Sequence, residues 1–191
     1  YETGPHYLLY VGTLQPRKNL VMLLRAFAAL VAHNSIAPDI RLVLAGRQGW
    51  LYDRITAEAR DGAIEGRVVL PGYIPAEDLP ALLSGALAFL FPSLYEGFGL
   101  PVLEAMACGT PVICSNTSAL PEVAGDAALL VDPQDQDRWA EAMMRLCTRP
   151  ALREDLRAKG LVRATAFSWD RCADAVLEAI REAAERWPAR R

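Results

Sequence analysis

The chain predicts an α/β fold, a mainly parallel sheet of six strands held between two layers of helices. Three observations carry that expectation. Short apolar runs alternate with longer stretches of helical periodicity, as in repeated βαβ units. Several runs are apolar at successive rather than alternate positions, which suits strands covered on both faces. Glycines follow three of the runs, at Gly12, Gly46 and Gly72, where strands would turn into loops.

The elements follow in order. A first strand is expected at 7–11, then a helix at 19–33 with Leu20, Leu23, Leu24, Phe27, Leu30 and Val31 at helical spacing and Asn19 as its cap. A strand at 40–45 leads to a shorter helix at 50–61, ended near Gly62. After a strand at 68–70, a helix at 76–84 starts behind Pro75, with Glu77 and Asp78 in its first turn, where the dipole favours acids. The strand at 87–91 precedes a helix at 101–107, which Pro101 can open and Gly109 can close. A strand at 111–114, a short helical turn at 118–123 and a strand at 128–131 complete the sheet. Helices at 136–147, 151–165 and 169–187 close the chain, and residues 188–191 read as a frayed end. The last helix carries Cys172, Val176, Leu177, Ile180 and Ala184 on one stripe. Packing on the chain's own sheet is the default for that stripe, and crossing to a further domain is the alternative.

Composition narrows the function. Hydrophobic residues make up 52% of the chain, enough for a sizeable core. A net charge of -3 and a pI near 5.5 give no reason to expect nucleic acid or an anionic membrane as partner. No apolar run approaches the roughly 20 residues of a membrane span. There is no signal-peptide pattern and no initiator Met. Residues 1–191 are read as one domain cut from a longer protein at a domain boundary. The four cysteines, Cys108, Cys114, Cys147 and Cys172, match no zinc spacing. They read as reduced core or near-core thiols of a cytosolic protein. His6 and His33 have no partners at ligand spacing, and no acidic cluster argues for a metal.

The richest segment is Glu96-Gly-Phe-Gly-Leu-Pro-Val-Leu-Glu104, directly behind the run at 87–91. A strand, a glycine-rich turn and a helix N-terminus make an anion site, usually for phosphate. Backbone N–H groups from Gly97 through Phe98 and Gly99 to Leu100 can meet at one anion because few side chains intervene. Glu104 and Glu96 could then hold ribose or sugar hydroxyls. Their plainer readings are a helix acid that complements the dipole and a carboxylate paired with Arg17 or Arg47. Phe98 is read as a packing anchor. A second constellation, Gly12-Thr-Leu-Gln-Pro-Arg17-Lys18-Asn19, places two cations at a helix entrance. Solvated surface cations there would oppose the dipole, whereas a polyphosphate would welcome them. The loops at Gly46-Arg47 and at Gly72-Tyr73-Ile74 lie at the same expected sheet edge, and a base could lie against the second. Glu122 reads as helix-end decoration.

Together these residues resemble the C-terminal, nucleotide-sugar-binding half of a retaining glycosyltransferase of the large group-1 family, with the Rossmann-like, three-layer GT-B fold. The resemblance covers nearly the whole chain. It runs through Tyr10-Val-Gly-Thr-Leu-Gln-Pro-Arg-Lys-Asn-Leu20, Leu44-Ala-Gly46, Gly72-Tyr-Ile-Pro75, the segment Pro92 to Val112, the segment Leu120 to Ala128, Val131-Asp-Pro133 and Phe167-Ser-Trp169. Glu96 and Glu104, with seven residues between them, match the family's two-glutamate motif. The resemblance implies that Arg17 and Lys18 neutralise a donor diphosphate, while Gly97 to Leu100 donate N–H groups to it. It implies that Glu104 holds ribose, Glu96 touches the transferred sugar, and Tyr73 and Ile74 border the base. Gly12, Thr13 and Gly46 fall on the substrate side; Thr13 stands where many members carry Arg, which leaves more to Arg17 and Lys18.

The implied reaction moves a sugar from a nucleotide-diphosphate donor to a glycan or lipid-linked acceptor with retention, without metal, cofactor or protein nucleophile. The wording around Glu96 and Cys114 leans toward bacterial mannosyltransferases and GDP-mannose, with UDP-sugars open. The acceptor would bind an N-terminal domain absent from this chain, so the chain alone is expected to transfer little. The complete protein would be cytoplasmic or peripheral to the inner membrane. A non-catalytic nucleotide-binding module and half of a nucleotide-sugar epimerase are the alternatives.

Overall fold

A computed structural model describes residues 1–60 and 62–186. Asp61, Trp187 and the expected frayed end 188–191 lie outside the described residues. The sheet has six strands, all paired in parallel: β1 (Tyr7–Val11), β2 (Arg41–Ala45), β3 (Val68–Gly72), β4 (Ala88–Phe91), β5 (Val112–Ser115) and β6 (Ala128–Val131). Their spatial order is β3-β2-β1-β4-β5-β6. The chain walks outward from β1 in one direction, then returns and walks from β4 in the other.

That reversal decides where the helices go. Parallel crossovers are right-handed, so opposite walking directions place their helices on opposite faces. Accordingly, α1 (Leu20–Ala32) packs with α2 (Tyr52–Ala59) and α6 (Gln136–Thr148). On the other side α4 (Leu100–Ala107) packs with α5 (Leu120–Ala124) and α7 (Pro150–Ala164). With both faces covered, the central strands need apolar residues at every position. Leu8, Leu9, Tyr10 and all of β4 and β5 are buried, as their unbroken apolar runs require. The edge strand β6 is more open, with Leu130 exposed. Trp139 of α6 is fully buried, and its indole N–H donates to the Asp132 carbonyl at 3.0 Å.

Several expectations change. Helix α3 spans Leu79–Ser84 and starts later than the sequence suggests. Asp78 stands at its cap position and Glu77 outside it, and the Tyr1 hydroxyl donates to the Asp78 carboxylate. Asn19 precedes α1 in the left-handed region, with φ 58°, and makes no side-chain cap. Its amide instead donates to the Pro133 carbonyl at 2.7 Å, tying the loop after β1 to the loop after β6. A one-residue left-handed turn gives the chain a sharper entry than an extended cap, and Asn tolerates that conformation.

The last helix, α8 (Trp169–Arg186), buries none of its residues, so its stripe does not pack on this sheet. Val176, Leu177 and Ile180 are all exposed. Cys172, on that stripe, is exposed too, against the expectation of near-core thiols. Cys114 is buried and Cys108 and Cys147 partly so; all four are free. Burial pushes the thiols of Cys114 and Cys147 up to about 12, which removes thiolate chemistry at neutral pH. Among the described residues no helix is long and apolar enough to cross a membrane.

Candidate functional site

The strand order reverses between β1 and β4. Their C-terminal ends therefore diverge into loops bound for opposite faces, which opens a crevice at the strand tips. The two constellations found in the sequence sit on those two loops.

The loop after β1 is built on backbone contact. The Gly12 N–H donates to the Ala45 carbonyl at 2.9 Å, and the Gly46 N–H to the Gly72 carbonyl at 2.7 Å. The tips of β1, β2 and β3 are thereby laced together. Gly46 has φ 142°, and a side chain there would run into the Gly12 carbonyl. Beyond Gly12, Thr13 is exposed and its carbonyl accepts from the Tyr10 hydroxyl at 3.2 Å. A single 3₁₀ turn, Pro16–Lys18, then presents the two cations.

They do not stand in solvent as a pair. Lys18 is only 8% exposed, and its ammonium lies 4.9 Å from the centre of the Phe91 ring and hydrogen-bonds Oε1 of Glu96. Arg17 is exposed; its Nη1 lies 3.0 Å from Oε2 of Glu96 and also donates to the Tyr95 carbonyl. Arg47, the other candidate partner, instead lies over the exposed ring of Tyr73 at 4.9 Å. Ile74 is buried in the core, so only the Tyr73 side chain faces outward from that loop.

Glu96 is held by more than its side chain. The Leu94 N–H donates to the Arg17 carbonyl at 2.9 Å, joining the two loops. The Glu96 N–H donates to Oγ of Ser118 at 3.0 Å, and Oγ1 of Thr117 donates to the Leu94 carbonyl at 3.3 Å. Ser118 adopts φ 53°, an uncommon conformation for a residue with a β-carbon. This clamp from the β5–α5 loop was not visible in the sequence. Ser118 is 22 positions from the residue it holds, and by itself it reads as an ordinary helix-start residue.

The glycine-rich turn follows. Gly99 caps α4 at φ 112°, and a β-carbon there would sit 2.6 Å from Cδ2 of Leu120. Among the described residues the N–H groups of Gly97, Phe98 and Gly99 have no hydrogen-bond partner, and Leu100 is the first residue of the helix, so its N–H has none within it. Phe98 is half exposed and meets Phe167 edge-on at 5.9 Å, so it anchors only partly. Glu104 lies on α4, exposed. Glu122 lies in the first turn of α5, as its plainer reading has it. Among the described residues no group of three or more His, Cys, Asp and Glu is placed to hold a metal ion.

Charge in this crevice is finely opposed. Burial pushes the Glu96 carboxyl upward, but Lys18, the adjacent Ser93 hydroxyl and Arg17 together outweigh it and hold the group below its usual range. Ser93 is fully buried, and its Oγ approaches without completing a hydrogen bond. The sign of the stability effect follows. A depressed carboxyl stabilises the fold above its unfolded pKa and loses that contribution as pH falls through the lower folded value. Thermal melts of the native chain and Glu96→Gln are expected to differ by a constant amount between about pH 7 and 5, and to converge only in acid, as pH falls through the depressed Glu96 value. A difference that persists at low pH would mean that the ion pairs are not its source.

Known proteins resemble this arrangement. Residues 2–163 match the family described as glycosyl transferases group 1. The chain is 43% identical over 175 residues to the O-antigen chain mannosyltransferase B of Escherichia coli, covering 92% of this chain and 45% of that protein. It is 36% identical over 187 residues to the D-inositol 3-phosphate glycosyltransferase of Saccharomonospora viridis, covering 92% and 42%. Among solved structures, sucrose-phosphate synthase of Thermosynechococcus elongatus superposes with a TM-score of 0.83 at 31% identity, over 98% of this chain and 47% of that one. The chain thus spans under half the length of these relatives. A family match over most of the chain and a parallel sheet that superposes on a solved relative agree: this chain belongs to the group 1 glycosyltransferases.

Proposed function

We propose that the chain is the donor-binding half of a retaining hexosyltransferase. It holds a nucleotide-diphosphate sugar at the strand tips while a further, N-terminal domain presents a glycan or lipid-linked acceptor. The observation that carries this reading is the meeting of Arg17, Lys18 and Glu96, from two loops 78 residues apart, beside the free N–H groups that open α4. Charge develops on the departing nucleoside diphosphate, and fixed cations and N–H dipoles stabilise it most where water is scarce. Arg17 and Lys18 with the Gly97–Leu100 turn supply that field. The sugar carbon becomes oxocarbenium-like, so hydroxyls held by Glu96 fix its orientation without a covalent intermediate. Glu104, exposed on α4, takes the ribose, and the exposed Tyr73 ring with Arg47 flanks the base. Gly12, Thr13 and Gly46 form the floor. Relatives named as mannosyltransferases favour GDP-mannose, with a UDP-sugar as the other donor class. The complete protein would work in the cytoplasm, at the membrane face where lipid-linked acceptors are found.

Thermal stability under titration with GDP, UDP and ADP tests this. A ligand that binds only the folded state adds about 2.7 kcal/mol at 100 times its dissociation constant. One nucleotide is expected to stabilise the chain, and Glu104→Ala is expected to remove most of that response. No response from the chain or from the complete enzyme at millimolar nucleotide would refute the reading.

A further inference from the structure

Both oxygens of the Glu96 carboxylate are engaged. One oxygen lies on Lys18 and the other on Arg17. The two partners are unequal. The Lys18 side chain is 10% exposed and backed by the Phe91 ring, whereas that of Arg17 is 42% exposed. A buried ion pair is strongly unfavourable to break, because either half would be left uncompensated. A pair with one exposed arm is worth far less. The backbone beneath is pinned by the Leu94–Arg17 and Glu96–Ser118 hydrogen bonds, so an exchange of partners needs only side-chain rotation. Of the three groups, Arg17 is the one exposed enough to make it, and in turning it also releases the Tyr95 carbonyl.

From this we infer that Arg17 is an exchange ligand. An arriving diphosphate draws its guanidinium away from Glu96, and the oxygen so released accepts a hydrogen bond from a sugar hydroxyl. This rests on the donor-site reading above. Glu96 is thus an internal competitor for the cation that the phosphate needs. A bare diphosphate breaks the Arg17–Glu96 pair and leaves Oε2 unpaired. A nucleotide sugar breaks the same pair and refills that position. The site thereby favours an intact donor over a bare diphosphate, and phosphate and sugar recognition become coupled through one side chain.

Inorganic pyrophosphate isolates the first half of the exchange, because it has neither base nor sugar. It is titrated calorimetrically into the full chain, into Glu96→Gln, into Arg17→Gln and into the double variant, each checked for a native-like melt. Glu96→Gln is expected to bind pyrophosphate about fivefold more tightly, the worth of one partly exposed ion pair. Most of that gain is expected to vanish when Arg17 is also replaced. Glu96→Asp, which keeps a charge near Lys18 but falls a methylene short of spanning both cations, is expected to show the same gain and serves if the amide variant does not fold. Unchanged or weaker binding in the Glu96 variants overturns the inference. So does a gain undiminished without Arg17, since the competition would then run through Lys18. GDP and UDP titrated into the same proteins separate the two readings: tighter pyrophosphate with no nucleotide binding removes the nucleotide-sugar assignment and leaves the exchange standing.

Discussion

Replacing Lys18 with methionine is expected to lower kcat for sugar transfer by the complete enzyme about 100- to 1000-fold, the range for removing one group aimed at developing charge. Methionine keeps much of the length and the packing on Phe91 while deleting the ammonium. On the proposed donor-site reading, two losses coincide. The departing diphosphate loses a cation held in a poorly solvated position, where each charge counts for more than at the surface. Glu96 loses its buried partner and keeps only the exposed Arg17, so its carboxylate is less well oriented toward the sugar. The expected fall is therefore greater in kcat than in nucleotide affinity, because a ground-state nucleotide still has Arg17 and the α4 turn. Steady-state kinetics with a nucleotide sugar, beside calorimetry with the nucleotide alone, give both numbers. A rate within about threefold of native would show that Lys18 only braces the loop, since a group stabilising the transition state contributes far more.

Gly46→Ala is expected to destabilise the chain by about 4 kcal/mol or more, at the severe end of single substitutions. The reason is backbone, not packing of side chains. At φ 142° an added β-carbon would overlap the Gly12 carbonyl oxygen and lie 2.6 Å from the Gly12 carbonyl carbon. The strand tips would have to part, which breaks the Gly12–Ala45 and Gly46–Gly72 hydrogen bonds that lace β1, β2 and β3. Since the cations hang from the loop that follows Gly12, any surviving folded protein is also expected to lose nucleotide binding. Gly97→Ala is the control: a β-carbon there meets nothing within 4 Å, so a change within about 1 kcal/mol is expected. Urea unfolding of the three proteins checks both. Equal stability of Gly46→Ala and the native chain would mean that the tips are not rigidly laced.

The site divides by how its residues declare themselves. Glu96, Glu104 and the glycine-rich turn were legible because a strand, a turn and a helix start lie within one continuous segment. Arg17 and Lys18 were legible because two cations at a helix entrance oppose the dipole. The connection of Arg17 to Glu96 was visible only as one of two pairings, with Arg47 the other, and proximity chose the first; the Lys18–Glu96 pair was not visible. The clamp from the β5–α5 loop is a different case: Thr117 and Ser118 carry no local signal of the loop they hold. At Asn19 the expected side-chain cap gives way to a hydrogen bond with the distant Pro133 carbonyl, and α3 begins at Leu79, with Pro80 in its first turn, rather than directly behind Pro75.

By itself, then, the sequence determined the alternation of strands and helices, the burial of the central strands on both faces, and which loops carry the candidate residues. These depend on periodicity and on turn residues, which act over a few positions. The tertiary structure decided the rest. It set the strand order that puts the tips of β1 and β4 side by side, the burial of Lys18, and the division of Glu96 between two unequal cations. It also left the stripe of α8 exposed, although its periodicity is that of a core helix. The physical reason is range. Hydrogen bonds and ion pairs between segments some 20 to 80 residues apart exist only after the chain has closed on itself, and no local pattern records which partner a side chain will then meet.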